Sequence, residues 1–480
     1  MKKILYLILV FLAVSCADLT DLNKDVKSPT DVPGNTLFSN ALKNLSDQLA
    51  SLNVNVSNFN LWSQYLTETT YTDEANYNIF ARNVPDYAWR EYYRDVLQDL
   101  NRAEMLIGDE TPSGVAEVAA QANSLQIIEI VKVYTWDLMI TLWGDIPYTE
   151  ALDIDNVQPA YDDALTIHKD LIARVSAAIT ALDVANGSFG AADIIYHGDV
   201  AMWKAFANGL KVKMALQLAD VASEAALVAA SITAAAPGTF ASSAENAVFN
   251  YLSGTPNTNP LYEDLTLSGR LDYVAANTLV DMMNLLNDPR ISLYYDQNLE
   301  DSLGNVYYLG GDYGHSSAYG NYSHINTAIS QDPTFGSALM TYSEIQFYLA
   351  EAAARISDPS ASTYYDAAVT ASIIEWGGTA TDATTYLAQP AVAYNQGTWK
   401  DKIGTQAWIS FYMRGYEGWT SWRRLDAPTM NMPPTPTEGG FPYRYTYPSG
   451  EQTLNGANYT AAASAVGGDY LATKLYWDKN

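Results

Sequence analysis

The sequence predicts a mainly α-helical protein in which helical segments alternate with long loops. Three observations carry this reading. Apolar residues recur three or four apart through much of the 480-residue chain, which is the period of one helix face. Strand-like alternation is scarce. Residues 251–335 and 425–462 are instead crowded with Gly, Pro, Asn, Asp and Tyr, which interrupt regular structure.

The elements follow in chain order. Met1-Lys2-Lys3, the apolar run Ile4 to Val14 and then Ser15-Cys16 read as a secretory signal peptide. Cys16 is the chain's one cysteine, so it has no disulfide partner within the chain. Ala13-Val14-Ser15-Cys16 resembles a lipobox, in which the cysteine becomes the lipidated N-terminus. Residues 1–15 are therefore predicted to be a lipoprotein signal peptide and residues 16–35 a lipidated tether. Residues 36–480 are predicted to form one helical domain.

Helices are predicted at Thr36 to Leu52, Pro85 to Ile107, Val115 to Leu142 and Ala160 to Leu182. The clearest pattern comes next. Trp203, Phe206, Ala207, Leu210, Met214, Leu218 and Val221 share one helix face, with Asp199 placed to cap it. Lys204, Asn208, Lys211 and Gln217 fall outside that face. Further helices are predicted at Thr341 to Ile356, Tyr364 to Ile374 and Lys402 to Glu417. Several pairs fall near the ~34-residue tetratricopeptide period, although its consensus residues are missing. Leu303 to Ile329 is the most loop-like stretch. Long loops on a compact scaffold commonly carry function.

Composition narrows the function. The chain has 26 basic and 54 acidic residues; losing Lys2 and Lys3 with the signal peptide leaves a formal charge of −30. Such a body repels nucleic acid and disfavours strongly anionic polymers. No second apolar run is long enough to span a bilayer. There is no His-Glu-x-x-His, Cys-x-x-Cys or phosphate-cradling glycine loop. Gly314-His315-Ser316-Ser317-Ala318 departs from a nucleophile elbow, because alanine replaces its last glycine. A glycosidase needs only two suitably spaced carboxylates, and no local arrangement points to them. Asp296, Asn298, Glu300 and Asp301 match part of a calcium loop, but Asp301 stands where that loop needs glycine. Asp153, Asp155 and Asn156 are similarly short of a ligand set. No cofactor is expected.

Several segments in order carry a resemblance. They are Gly144-Asp145-Ile146-Pro147-Tyr148, Tyr196-His197-Gly198-Asp199 before Trp203 to Asn208, and Met340-Thr341-Tyr342-Ser343-Glu344 before Glu351. Gly418-Trp419, Arg423-Arg424, Pro442 to Pro448 and Trp477-Asp478 complete the series. Together they resemble the SusD/RagB family of outer-membrane nutrient-binding lipoproteins of Bacteroidota. The resemblance implies a tetratricopeptide-like helical scaffold with loop-rich insertions and no catalysis. It implies a lipid-anchored protein at the outer membrane facing the exterior, paired with a SusC-like TonB-dependent transporter. Asp18 and Asp21 follow the cysteine, without the denser acidic pair of the surface-export signal. Trp203 to Asn208, Glu351, Arg423, Arg424 and Arg444 are expected in core and ion-pair roles.

An oligosaccharide ligand needs an aromatic face for its C–H surface and planar polar groups for its hydroxyls. Two stretches offer both. The first holds Trp62, Tyr65, Tyr71, Asp73, Asn76, Tyr77, Arg82 and Trp89. The second holds Tyr307, Tyr308, Tyr313, His315, Tyr319 and Tyr322. Trp376 and Trp399 stand in reserve. The function expected is capture of neutral oligosaccharide for the transporter, with a peptide or other nutrient as the alternative ligand and a glycoside hydrolase as a remote one.

Overall fold

The computed structural model describes residues 32–479. Cys16, the signal segment and most of the tether lie outside the described residues. The protein is mainly helical, as predicted. Ten helices build the frame: α1 (Gly34–Ala50), α2 (Gln98–Gly108), α3 (Val115–Trp143), α4 (Ala164–Ala181) and α5 (Val200–Gln217), followed by α6 (Ala225–Ala235), α7 (Tyr342–Arg355), α8 (Ser360–Glu375), α9 (Trp399–Ser410) and α10 (Gly415–Leu425). They pack as consecutive pairs: α1 on α2, α3 on α4, α5 on α6, α7 on α8 and α9 on α10. Stacked helix pairs bury a continuous core that no single pair could close.

The predicted cap at Asp199 forms, and a second cap appears at Thr341. Asp199 Oδ1 accepts from the backbone N–H groups of Ala201 and Met202 at 2.9 and 3.2 Å, starting α5. Thr341 and Glu344 make a reciprocal capping box at the start of α7. The predicted face of α5, from Trp203 to Leu218, is buried. So are Asn208, Lys213 and Gln217 beyond that face, because α4, α6 and α7 enclose the helix from several sides. Gln217 donates to Thr141 Oγ1 at 3.0 Å to satisfy its amide there.

Three elements differ from the sequence reading. The segment predicted as one helix from Pro85 contains a π-helical turn, Glu91–Leu97, ahead of α2. The helix predicted from Lys402 to Glu417 is two helices, broken at Phe411 to Arg414. Met413 takes φ +63° in the break. Gly415 then packs so closely on Phe59 and Asn60 that a Cβ would lie 2.4 Å from the Asn60 nitrogen. The loop-rich region 251–335 also contains a helix, Asn277–Leu286.

Strands are short and pair in three two-stranded antiparallel ribbons. β1 (Leu66–Glu68) pairs with β5 (Tyr273–Ala275), with Thr67 opposite Val274. β2 (Ile146–Pro147) pairs with β3 (Tyr161–Asp162), and β4 (Ala247–Phe249) with β6 (Ser337–Met340). The first ribbon joins the segment after α1 to the middle insertion, and so positions the site.

The core holds ion pairs where the family motifs stand. Arg424 bonds to buried Glu351, which also takes Arg355, and Arg444 pairs with Asp469 at 2.8 Å. Arg423 is the exception to the ion-pair expectation. Its guanidinium lies 3.5 Å from the centre of the Trp419 ring and donates to the carbonyls of Thr141 and Tyr443. Burial pushes its pKa down to about 9.

Candidate functional site

Three segments converge beside the β1–β5 ribbon. The backbone of residues 311–317 lies along it: Gly311 N–H donates to Ala275 O at 2.8 Å, and Asn277 N–H to Gly311 O at 2.9 Å. Gly310 comes so close to Asn277 that a Cβ would sit 2.4 Å from its Cα. Gly314 N–H then reaches Thr67 Oγ1 at 3.2 Å, and Ser316 Oγ donates to Thr69 O at 2.7 Å.

Asn76 ties these to a third segment, residues 431–438. Its Nδ2 donates to Gly314 O and Thr72 O, both at 2.7 Å. Its Oδ1 accepts from Thr435 N–H and Oγ1 at 3.0 and 2.9 Å. Gly314, at φ +76°, is pressed by Pro433, whose Cβ would lie 2.5 Å from any added Cβ.

Four of the predicted aromatic residues form the floor. Trp62 packs edge-on against Trp419, Tyr445 and Tyr77. Tyr65 OH donates to Trp408 O at 2.6 Å, and Tyr313 OH to Leu61 O at 2.8 Å. Tyr77 lies against Tyr313 and Phe441. All four are buried. A stacking platform needs an open ring face, so the direct ligand role expected of Trp62, Tyr65, Tyr77 and Tyr313 is corrected to support of the loops. Asn76 is likewise buried and serves as the tie.

The 69–83 loop carries two exposed rings, Tyr71 and Phe80, among polar groups. Tyr71 is 73% exposed. Asp73, Asp312, His315 and Asn431 are exposed and Asn277 is half-buried. Asn277 Oδ1 accepts from Tyr313 N–H and Asn431 Nδ2 at 3.2 and 3.1 Å, so the amides are held in fixed orientations. Asn431 and Asn277 were not singled out in the sequence. The proline run Pro433-Pro434-Thr435-Pro436 was the signal that their neighbourhood is a shaped loop.

Beneath the 69–83 loop lies a pair of carboxyl groups. Glu68 accepts from Ala75 N–H at 3.0 Å, and Glu74 accepts from Arg82 Nε. Burial, reinforced by the neighbouring Glu74, pushes Glu68 up to about 9. Glu68 therefore holds its proton to higher pH than a free glutamate, and Glu74 pairs with the Arg82 guanidinium.

A family model described as starch-binding and associating with the outer membrane, SusD-like, matches residues 24–448. The chain belongs to the SusD-like family. Solved structures share its fold. A chitin-binding protein superposes with TM-score 0.80 at 23% identity, over 93% of this chain and all of its own. A chitin-binding SusD homologue from Flavobacterium johnsoniae gives 0.76 at 20%, over 93% of this chain and 98% of that one. A SusD-like protein from Bacteroides thetaiotaomicron gives 0.76 at 23%, over 93% and 99%. No protein of curated function matches the sequence.

The remaining expected residues of this SusD-like chain are not drawn into the Asn76 cluster. Tyr307 is 43% exposed and Tyr308 half-buried, with the Tyr308 carbonyl held by Asn284 at 3.1 Å. Tyr319 stacks on His324 with ring centres 3.7 Å apart, and the Tyr322 carbonyl accepts from Asn298. Trp89 packs among Tyr93, Trp143 and Tyr161 beside β3. Trp399 lies under the Arg355 guanidinium. The acidic stretches near 153 and 296 use their carboxylates in turns: Asp153 Oδ1 accepts from Asp155 N–H, and Asp301 Oδ1 from Leu303 and Asn305 N–H. Among the described residues no group of three His, Cys, Asp or Glu could hold a metal ion, and no helix is long and apolar enough to cross a membrane.

Proposed function

We propose that this SusD-like chain is a cell-surface glycan-binding lipoprotein. Anchored through Cys16, it captures neutral oligosaccharides and delivers them to a SusC-like TonB-dependent transporter. One observation carries the reading: three segments are locked together at Asn76, with an exposed Tyr71 ring on the Asn76 loop and hydrogen-bonded amides and carboxylates at Asn277, Asn431 and Asp312 on the segments it ties. A sugar ring offers C–H faces and hydroxyls that both donate and accept, and this surface complements both. The family's description as starch-binding and the chitin-binding relatives support the ligand class. The net charge of −28 favours uncharged glycans over uronate- or sulfate-bearing ones.

Affinity electrophoresis of the lipid-free chain tests the ligand class. Retardation is expected in gels containing starch or soluble chitin derivatives and not in gels containing pectate or heparin. Retardation by the anionic polymers alone would refute it. The anchor is tested apart from the ligand: Cys16→Ser should move the protein out of the membrane fraction.

A further inference from the structure

A cavity of about 180 Å³ lies away from the Asn76 surface, between the elbow joining α9 to α10 and the β4–β6 ribbon. One wall is aromatic: Trp376, with Phe335 and Tyr412 at ring-centre distances of 6.3 and 5.7 Å. Trp376 and Phe335 are half-buried at the mouth, while Tyr412 is fully buried. The rest of the lining is mixed, with Leu49, Leu261 and Met413 beside the polar Asn246, Arg414 and Glu417.

Arg414 donates through Nε to Ala338 O at 3.1 Å and through Nη2 to Leu339 O and Glu344. Glu417 accepts from Lys213 at Oε1 at 2.6 Å. Neither Arg414 Nη1 nor Glu417 Oε2 has a hydrogen-bonding partner among the described residues. A donor and an acceptor left over on one lining call for groups that can both accept and donate, as hydroxyls do.

The charged lining residues already pair with groups behind them, Arg414 with Glu344 and Glu417 with Lys213. At the rim, the Glu375 carboxylate is occupied by Ser243, Asn246 and Ser343. Nothing here offers an unpaired cation to an anionic ligand. At about 10–15 Å³ for each water-sized position, the cavity holds roughly a dozen heavy atoms, the size of one sugar ring.

We propose that this cavity is a second carbohydrate site, taking a single neutral pyranose with its C–H face on Trp376 and its hydroxyls at Arg414 Nη1 and Glu417 Oε2. The site is independent of the Asn76 surface and does not require that surface to bind glycan.

Ligand-observed NMR and calorimetry on residues 17–480 test it, with glucose, galactose, mannose, N-acetylglucosamine and glucuronate as probes. Saturable binding of at least one neutral sugar is expected, with glucuronate inert. Trp376→Ala should weaken it at least about ten-fold. Val248→Trp, which narrows the mouth without removing a hydrogen bond, should abolish it, with circular dichroism confirming the fold. Tyr71→Ala should leave the Trp376-dependent part of the binding unchanged. Failure of every neutral sugar to bind, or binding untouched by both cavity variants, would overturn the proposal. Loss through Tyr71→Ala alone would assign the signal to the surface site and overturn it equally.

Discussion

Asn76 satisfies both ends of its amide on separate segments, and this makes it the residue on which the site's shape depends. Replacing it with alanine leaves Gly314 O, Thr72 O and Thr435 N–H without their partner. Only the bond to Gly314 O is fully buried, and water can reach the other two; at about 1–3 kcal/mol for a buried group left unpaired and less for the others, Asn76→Ala should lower stability by roughly 2–4 kcal/mol and weaken glycan retention together. Thermal melts beside affinity gels check this; a variant that melts normally yet loses binding would make Asn76 a ligand contact instead of a tie. Tyr71 and Trp62 separate the two kinds of aromatic residue. Tyr71→Ala should cost about 1–3 kcal/mol of binding with the melting temperature unmoved. Trp62→Ala should cost about 3–5 kcal/mol of stability, because it opens a void between Trp419, Tyr445 and Tyr77.

At the level of elements, β1 and the loop after it carry a titration. Glu68 has an ordinary value of 4.5 and sits at about 9 in the folded chain. The folded state thus retains a proton that the unfolded chain releases. Its contribution is fully present below pH 4.5 and is lost as pH rises toward 9. Glu74 and Asp73 on the loop oppose its ionisation, while Tyr273 on β5, itself pushed up by burial and by Glu68, stays neutral. Glu68→Gln should flatten the fall in stability between pH 5 and 9, measured by denaturant melts; parallel slopes for the two proteins would remove Glu68 from the account. A second link joins the insertion to the helical frame. Arg290, fully buried, pairs with Asp288 at 2.6 Å and reaches Ser372 on α8 and Gln406 on α9. Arg290→Met strands the Asp288 carboxylate and should cost about 3–5 kcal/mol. Asp288→Asn in the same chain should recover part of that loss.

For the whole molecule, the helical frame was legible because its signals are local. The α5 face and the Asp199 cap are written within a few residues of one another. The break between α9 and α10 was not legible, since it answers to Gly415 meeting Phe59 and Asn60, about 350 residues earlier in the sequence. The site was legible as two regions and illegible as residues. Aromatic composition marks both floor and platform, and only packing separates buried Trp62 and Tyr313 from exposed Tyr71. The third segment, residues 431–438, enters through hydrogen bonds to Asn76 that no local pattern announces. Above all, the surface gathered around Asn76 should bind neutral glycan. Calorimetric titration of residues 17–480 with starch- and chitin-derived oligosaccharides, repeated on Tyr71→Ala/His315→Ala, tests it most directly. Saturable binding is expected, weakened at least about ten-fold by the double variant, a loss of about 1.4 kcal/mol or more, with an unchanged melting temperature. Equal affinity in both proteins, or no binding of any neutral oligosaccharide, would contradict it.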